Sequence, residues 1–217
     1  MKLTERIKMF DKIDLYVVTC EKLSNGRSNL EVLDAVIKGG GKIIQLRDKE
    51  LCKRDFFLLA KKFREITLKA GILLVINDSI DVAMAIDADG VHLGQEDFPL
   101  KEARKIAPDL ILGRSVHSLE QAKTAEAEGA DYINIGPIFP TGTKEHAKAL
   151  GTEAIKKIAP EISIPFTVMG GIKSENINEV IKAGAKKIAL VTAVTQSESI
   201  VNTIKELRIS VLETKAN

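Results

Sequence analysis

Seven short polar clusters interrupt the apolar stretches of this chain, and their residue types are those that handle phosphate. They are Gln45-Leu46-Arg47-Asp48-Lys49, Asn77-Asp78, Gly94-Gln95-Glu96-Asp97, Arg114-Ser115-Val116-His117, the loop Gly136-Pro137-Ile138-Phe139-Pro140-Thr141-Gly142-Thr143-Lys144, Gly170-Gly171 and Val191-Thr192. Surface cations are ordinarily just solvated. Here Arg47 stands two residues after an inward-facing Gln45, and Lys144 follows a Gly/Thr loop. With Lys49 they suit a highly charged anion such as a pyrophosphate, since a guanidinium grips oxygens as a fork and an ammonium acts as a point charge. Asp78 and Asp97 would repel that anion unless a cation came between. A magnesium ion held by one or two carboxylates plus substrate phosphate oxygens resolves the conflict. Asp78 alone would read as the cap of the next helix.

A second anion site is expected at Gly170-Gly171 and Thr192. Gly171 lets backbone N–H groups come close to a phosphate, and helix starts nearby would add favourable dipoles. The plainer alternative is a tight turn. Among the histidines, His92 reads as a hydrogen-bonded strand residue, His117 as a neighbour of the pocket and His146 as loop surface. No Ser–His–Asp arrangement is evident.

Each cluster ends or follows an apolar, β-branched run. Eight such runs are expected as strands, at 14–19, 42–47, 72–77, 90–93, 110–115, 131–136, 165–169 and 187–191, near-continuously apolar as in sheets covered on both faces. Helical patterns lie between them at 55–70, 119–128, 152–158 and 175–183. The first of these puts Phe56, Leu59, Ala60, Phe63 and Ile66 on one stripe. Gly71, Gly129 and Gly184 read as left-handed helix ends, and Ser174 reads as an N-cap. Eight strands alternating with helices in 217 residues predict an α/β fold, a single (β/α)8 TIM barrel with a parallel eight-stranded barrel. An open doubly wound sheet is the rival, but no GxGxxG follows the first strand. The domain reading is one TIM-barrel domain over 1–217, with 1–12 an N-terminal extension or helix and 13–213 the barrel. Polar clusters at strand C-terminal ends then share the face where such barrels do their chemistry.

Bulk properties narrow the partners. A net charge of +2, from 32 basic and 30 acidic residues, gives no electrostatic case for nucleic acid or a membrane surface. Cys20 and Cys52 make neither a disulfide framework nor a zinc spacing. The first twelve residues lack the apolar core of a signal peptide, no run is long enough to span a bilayer, and a cytoplasmic location is expected. Small phosphorylated molecules are the expected partners, with a homo-oligomer possible.

The ordered clusters, together with His92-Leu93 ahead of Gly94, Ile172 after the Gly-Gly pair and Leu15-Tyr16-Val17-Val18-Thr19 in the first strand, resemble the signature blocks of the thiamine phosphate synthases over about residues 14–196. The resemblance implies a magnesium-dependent transferase of thiamine biosynthesis. It would join 4-amino-2-methyl-5-(diphosphooxymethyl)pyrimidine to 4-methyl-5-(2-phosphooxyethyl)thiazole, giving thiamine phosphate and pyrophosphate. It further implies that the segment Gln45, Leu46, Arg47, Asp48 and Lys49 binds the pyrimidine diphosphate together with Asn77, Ser115 and Lys144. Thr141, Gly142, Thr143, Gly171, Val191 and Thr192 would bind the thiazole phosphate, and Asp78 and Asp97 the Mg2+. Lys144, Ser115 and Arg47 would stand at the chemistry. Cys20 departs from the Asp common in the family and is expected to be a buried inert thiol. Lys186-Lys187 replaces Asp-Gly at the entry end of the last strand, and Thr192 stands where Ser is frequent.

Three rivals remain. A thiazole tautomerase of the same barrel would lack parts of the diphosphate pocket, whereas Lys49, Asp78, Asp97 and Lys144 are all present. A non-catalytic sensor of a thiamine-type phosphate would not need two metal carboxylates. A barrel isomerase or aldolase would place a Schiff-base lysine or a carboxylate base inside a strand, and neither stands out.

Overall fold

A computed structural model of the protein describes residues 1–142 and 148–213. Eight parallel strands close into a barrel in sequence order: β1 (Leu15–Val18), β2 (Ile43–Leu46), β3 (Leu73–Asn77), β4 (Gly90–Leu93), β5 (Ile111–Val116), β6 (Tyr132–Ile135), β7 (Phe166–Val168) and β8 (Ile188–Leu190). The ring closes where Tyr16 of β1 pairs with Ala189 of β8.

Ten α-helices stand among the described residues: α1 (Leu3–Asp11), α2 (Asn29–Lys38), α3 (Lys53–Ala70), α4 (Ile80–Ala85), α5 (Leu100–Ile106), α6 (Leu119–Ala127), α7 (Glu153–Ile158), α8 (Ile177–Lys182), α9 (Thr192–Thr195) and α10 (Ile200–Glu213). Local chemistry sets several ends. Ser28 and Glu31 form a reciprocal capping box at α2, and Ser118 accepts from the Gln121 N–H at α6. Gly71, Gly129 and Gly184 all have positive φ just past a helix, where a side chain would be strained.

Strand alternation splits the apolar residues into two cores. Leu15, Val17, Ile44, Leu46, Leu74 and Ile76 pack outward against the helices. Tyr16, Ile43, Leu73, Val75, Ile111, Tyr132 and Ala189 fill the barrel itself, with Phe10 and Ile13 of the N-terminal segment packed among them.

The structure corrects three local expectations. On α3, Ile66 is exposed at 37%, while Arg64 and Thr67 are buried instead. Arg64 turns inward because Asp89, fully buried, accepts from its Nη1 at 2.8 Å and from the Leu74 N–H at 2.9 Å. A buried carboxylate draws in a cation that a purely apolar stripe would exclude. Ser174 does not cap α8; Asn176 precedes that helix, and its Oδ1 accepts from the Lys173 N–H at 2.8 Å. Cys20 is half-buried rather than sealed in the core, with Arg47 Nη1 donating to its Sγ at 3.6 Å.

Candidate active site

A cavity of about 360 Å3 opens at the C-terminal end of the barrel, a volume suited to a small ligand. Each of the eight strands, or the loop directly after it, brings at least one polar or glycine residue to it, because inward positions recur at every second residue. Gln45, Asn77, His92, Ser115, Asn134 and Thr167 are such positions, and all line the cavity.

On one side stand the charged residues. Arg47 is held at the end of β2 by Thr19, whose Oγ1 accepts from the Arg47 N–H at 3.0 Å and donates to its carbonyl at 3.1 Å. Lys49 donates to Asp78 Oδ2 at 2.6 Å. Asp78 has φ of 60°, an uncommon conformation for a residue with a side chain and one that recurs at functional sites. Its side chain does not cap α4; Ser79 takes the N-cap position. Asp97 is steadied by the Gly94 N–H at 2.6 Å. Burial, and then a hydrogen bond shared with Asp78, hold its carboxyl above the usual carboxylate range. Two carboxylates that meet so closely supply hard oxygen donors of the kind Mg2+ takes. Among the described residues no group of three or more His, Cys, Asp or Glu gathers as a metal cluster. The remaining positions of such an ion would fall to substrate oxygens and water.

Arg114 faces outward and braces this side, its Nη2 donating to the Gln95 carbonyl at 3.1 Å while Gln95 Nε2 donates to the Ser115 carbonyl at 2.6 Å. His117 also lines the cavity, with Nδ1 2.5 Å from the Gly136 carbonyl oxygen.

The opposite side is built from backbone. Gly170 and Gly171 have φ of 97° and 63°, and a Cβ on either would collide with the loop after β6, at Pro137 for the first and at Phe139 and Pro140 for the second. That loop is stitched down by the Ile138 N–H donating to Met169 O at 2.8 Å and the Phe139 N–H donating to Gly170 O at 3.0 Å. Thr141, Val191 and Thr192 complete the wall. The dipole expectation is reduced here. α8 starts six residues beyond Gly171 and α9 has only four residues, so little helix dipole reaches this wall.

The structure therefore gathers Gln45, Arg47, Lys49, Asn77, Asp78, Asp97, Ser115, Thr141, Gly171, Val191 and Thr192 around one cavity. It does not bring Leu46, Asp48 or Gly142 to it. Leu46 has the outward parity and is fully buried under the helices. Asp48 organises its own loop, accepting from Asn29 Nδ2 at 2.8 Å and from the Glu50 N–H at 3.0 Å. Gly142 is exposed next to Thr141. Thr143 and Lys144, like His146, lie outside the described residues.

Sequence reading missed Tyr16, Asn134, Thr167 and Met169 as lining residues. The signal was inward parity, which assigns each of them to the barrel interior once one inward residue per strand is known. At the floor of the cavity, burial pushes His92 down to about 4 and raises the Tyr16 and Tyr132 hydroxyls above their usual range. All three are neutral near pH 7.

Comparison with known proteins bears on the family and the fold. A family model described as thiamine monophosphate synthase matches residues 15–194. The thiamine-phosphate synthase of Caldicellulosiruptor saccharolyticus is 43% identical over 205 residues, covering 94% of this chain and 93% of that protein. That of Pyrococcus furiosus is 41% identical, covering 91% of this chain and 94% of the relative. The solved structure of thiamine phosphate pyrophosphorylase from Pyrococcus furiosus superposes with a TM-score of 0.87 at 40% identity, covering 94% of this chain and 97% of the other. A 3-hexulose-6-phosphate synthase, 18% identical with a TM-score of 0.71 over 91% of this chain and 99% of that one, shares the fold alone.

Proposed function

From the premise that the chain belongs to the thiamine monophosphate synthase family and carries out the thiamine-phosphate-forming transfer of thiamine biosynthesis, we propose how the residues of this barrel mouth divide the work. The observation that carries the division is the split of the cavity into a charged side and a backbone side.

The charged side takes the pyrimidine diphosphate. Arg47 and Lys49 bind the diphosphate, with Lys144 assigned to it from the sequence motif. Gln45, Asn77 and Ser115 stand where they can contact the pyrimidine. Asp78 and Asp97 would hold a Mg2+ ion, which when bound supplies positive charge to the leaving pyrophosphate. The backbone side takes the thiazole phosphate at Gly171, Val191 and Thr192, with Thr141 and, from the motif, Thr143.

An electron-rich aminopyrimidine stabilises positive charge on its exocyclic methylene, so the bond to pyrophosphate breaks ahead of attack by the thiazole nitrogen. Such a reaction asks the protein for no nucleophile. Arg47, Lys49 and Lys144 stabilise charge developing on the leaving group. Anchoring the thiazole by its remote phosphate keeps its nitrogen aligned with the methylene. A reducing, cytoplasmic setting suits the two free cysteines.

Incubating the protein with both substrates, with and without MgCl2, tests the reading by following thiamine phosphate and pyrophosphate together. Stoichiometric release that depends on Mg2+ is expected. Turnover that survives Lys144→Ala and chelation of the metal would overturn the assignment of the charged side.

A further inference from the structure

Gln45 and Ser115 face the cavity from β2 and β5, three strands apart, and a line of buried hydrogen bonds joins them beneath it. Gln45 Nε2 donates to the Tyr16 hydroxyl at 2.9 Å. The Tyr16 and Tyr132 hydroxyls are 3.0 Å apart. The Tyr132 hydroxyl is 2.9 Å from His92 Nδ1, and His92 Nε2 is 2.9 Å from Ser115 Oγ. Tyr16, Gln45, His92 and Tyr132 are all less than 10% exposed. Gly113 makes room for the middle link, since a Cβ there would fall on the Tyr132 ring.

Each hydroxyl has one proton, so the direction chosen at one end propagates to the other. With the Gln45 amide donating, Tyr16 donates to Tyr132 and Tyr132 donates to His92 Nδ1. The ring proton then sits on Nε2 and is given to Ser115, whose own proton is left for the cavity. A doubly protonated ring would leave the Tyr132 proton without an acceptor. Gln45 lines the cavity, and with Nε2 engaged its amide keeps Oε1 as the group left to accept a further hydrogen bond. Reversing one link alone leaves a hydroxyl proton without a partner in the line, or a link without a proton.

We propose that Tyr16, Tyr132 and His92 are positioning residues: a proton-ordered relay that presents the cavity with an acceptor at Gln45 and a donor at Ser115, and so selects an amino-substituted pyrimidine over its oxo counterpart. An aminopyrimidine offers the complement, an amino group that donates and a ring nitrogen that accepts. The 4-oxo form inverts that pair, with a carbonyl that accepts and a ring N–H that donates. A site built to hydrogen-bond one pattern rejects the other because buried groups are left unpaired. The inference rests on the charged side of the cavity being the pyrimidine side.

Two readouts test it. In wild-type protein with 15N-labelled histidine, NMR at neutral pH should show the His92 ring protonated at Nε2 and bare at Nδ1; the opposite tautomer would overturn the relay's direction. Tyr132→Phe keeps the ring and deletes one hydroxyl. It should abolish the tautomer preference and lower, by about tenfold, the ratio of kcat/KM for the pyrimidine diphosphate to that for its 4-oxo analogue, the scale of one hydrogen bond. The KM for thiazole phosphate should stay unchanged. Tyr16→Phe breaks the same line nearer Gln45 and should lower the ratio similarly, providing the measurement should Tyr132→Phe fail to fold. An unchanged ratio in a folded variant would overturn the proposal. Gln45→Ala separates it from the underlying site reading. If this change leaves the KM for pyrimidine diphosphate untouched, the siting of the substrate falls and the selectivity with it, while the ring tautomer still reports whether the relay exists.

Discussion

In the proposed division of the site, the two sides of the barrel mouth each hold a phosphate, and they are built from opposite materials. From β2 to β5 the cavity wall is made of side chains: Arg47 on a strand end pinned by Thr19, Lys49 on Asp78, and Asp97 folded back on its own loop. From β6 to β8 it is mostly main chain, with Gly170 and Gly171 pressed so tightly on the neighbouring loop that no side chain fits. A leaving pyrophosphate gains charge during the reaction and calls for formal charges near it. A phosphate that serves only as a handle needs a fixed cradle, and close backbone supplies one. The charged side should therefore lose function one residue at a time, whereas the backbone side should give way together with local folding.

Arg47→Ala should have the largest effect. We expect kcat to fall by about 10²–10³, the loss typical of removing one donor that acts on developing charge. The KM for thiazole phosphate should be nearly unchanged in steady-state kinetics with each substrate varied in turn. A parallel rise in that KM would mean the two sides are not separate.

The polar floor below the charged side should reveal itself through pH. His92 is buried with a folded value of about 4 against 6.5 when unfolded, so the unfolded chain binds its proton first on acidification. Its contribution to stability is complete above pH 6.5 and is lost as pH falls from 6.5 toward 4, by up to about 3 kcal/mol. Urea titrations across that window should show the decline in wild type and a flatter profile in a folded His92→Gln variant.

Gly171→Val attacks the other side. The positive φ and the collision with Phe139 and Pro140 should cost about 1–3 kcal/mol of stability. Calorimetry should also find weakened binding of thiazole phosphate, with the affinity for pyrimidine diphosphate largely kept. A variant that unfolds less easily than wild type, or that loses both ligands equally, would break the contrast.

Asp78→Ala should have the smallest effect of the four on energetics. It should raise the Mg2+ concentration for half-maximal rate by roughly tenfold, the lower end of what disturbing a metal site costs. Thiazole phosphate affinity should hold. If that affinity dropped as far as turnover, the carboxylates would belong to the wrong subsite.

Much of this was legible in the chain. All eight strands lie within a residue or so of their expected places, because apolar β-branched runs bounded by polar turns leave few alternatives. Gln45 was readable as inward-facing, and that single parity predicts Leu46 outward against the helices. Grouping Leu46 and Asp48 with the ligands treated a contiguous motif as one surface, whereas a strand sends neighbours to opposite faces and a loop carboxylate often ties its own backbone. The exposure of Ile66 could not be foreseen from α3 alone. It follows from Asp89, 25 residues beyond Arg64, claiming that arginine at the barrel's edge.

Sequence alone determined which residues sit at strand ends, which of them carry charge, and the order in which a closed barrel must present them, since those properties follow from local pattern and the two-residue period of a strand. Only the tertiary structure decided which of them share a cavity, that Asp78 sits near enough to Asp97 to help hold the Asp97 carboxyl above the usual carboxylate range, and that Tyr16, Tyr132 and His92 link Gln45 to Ser115. Those relations join residues far apart in the chain. They exist because barrel closure brings inward side chains from different strands into one small, water-poor interior where each polar group must find a partner.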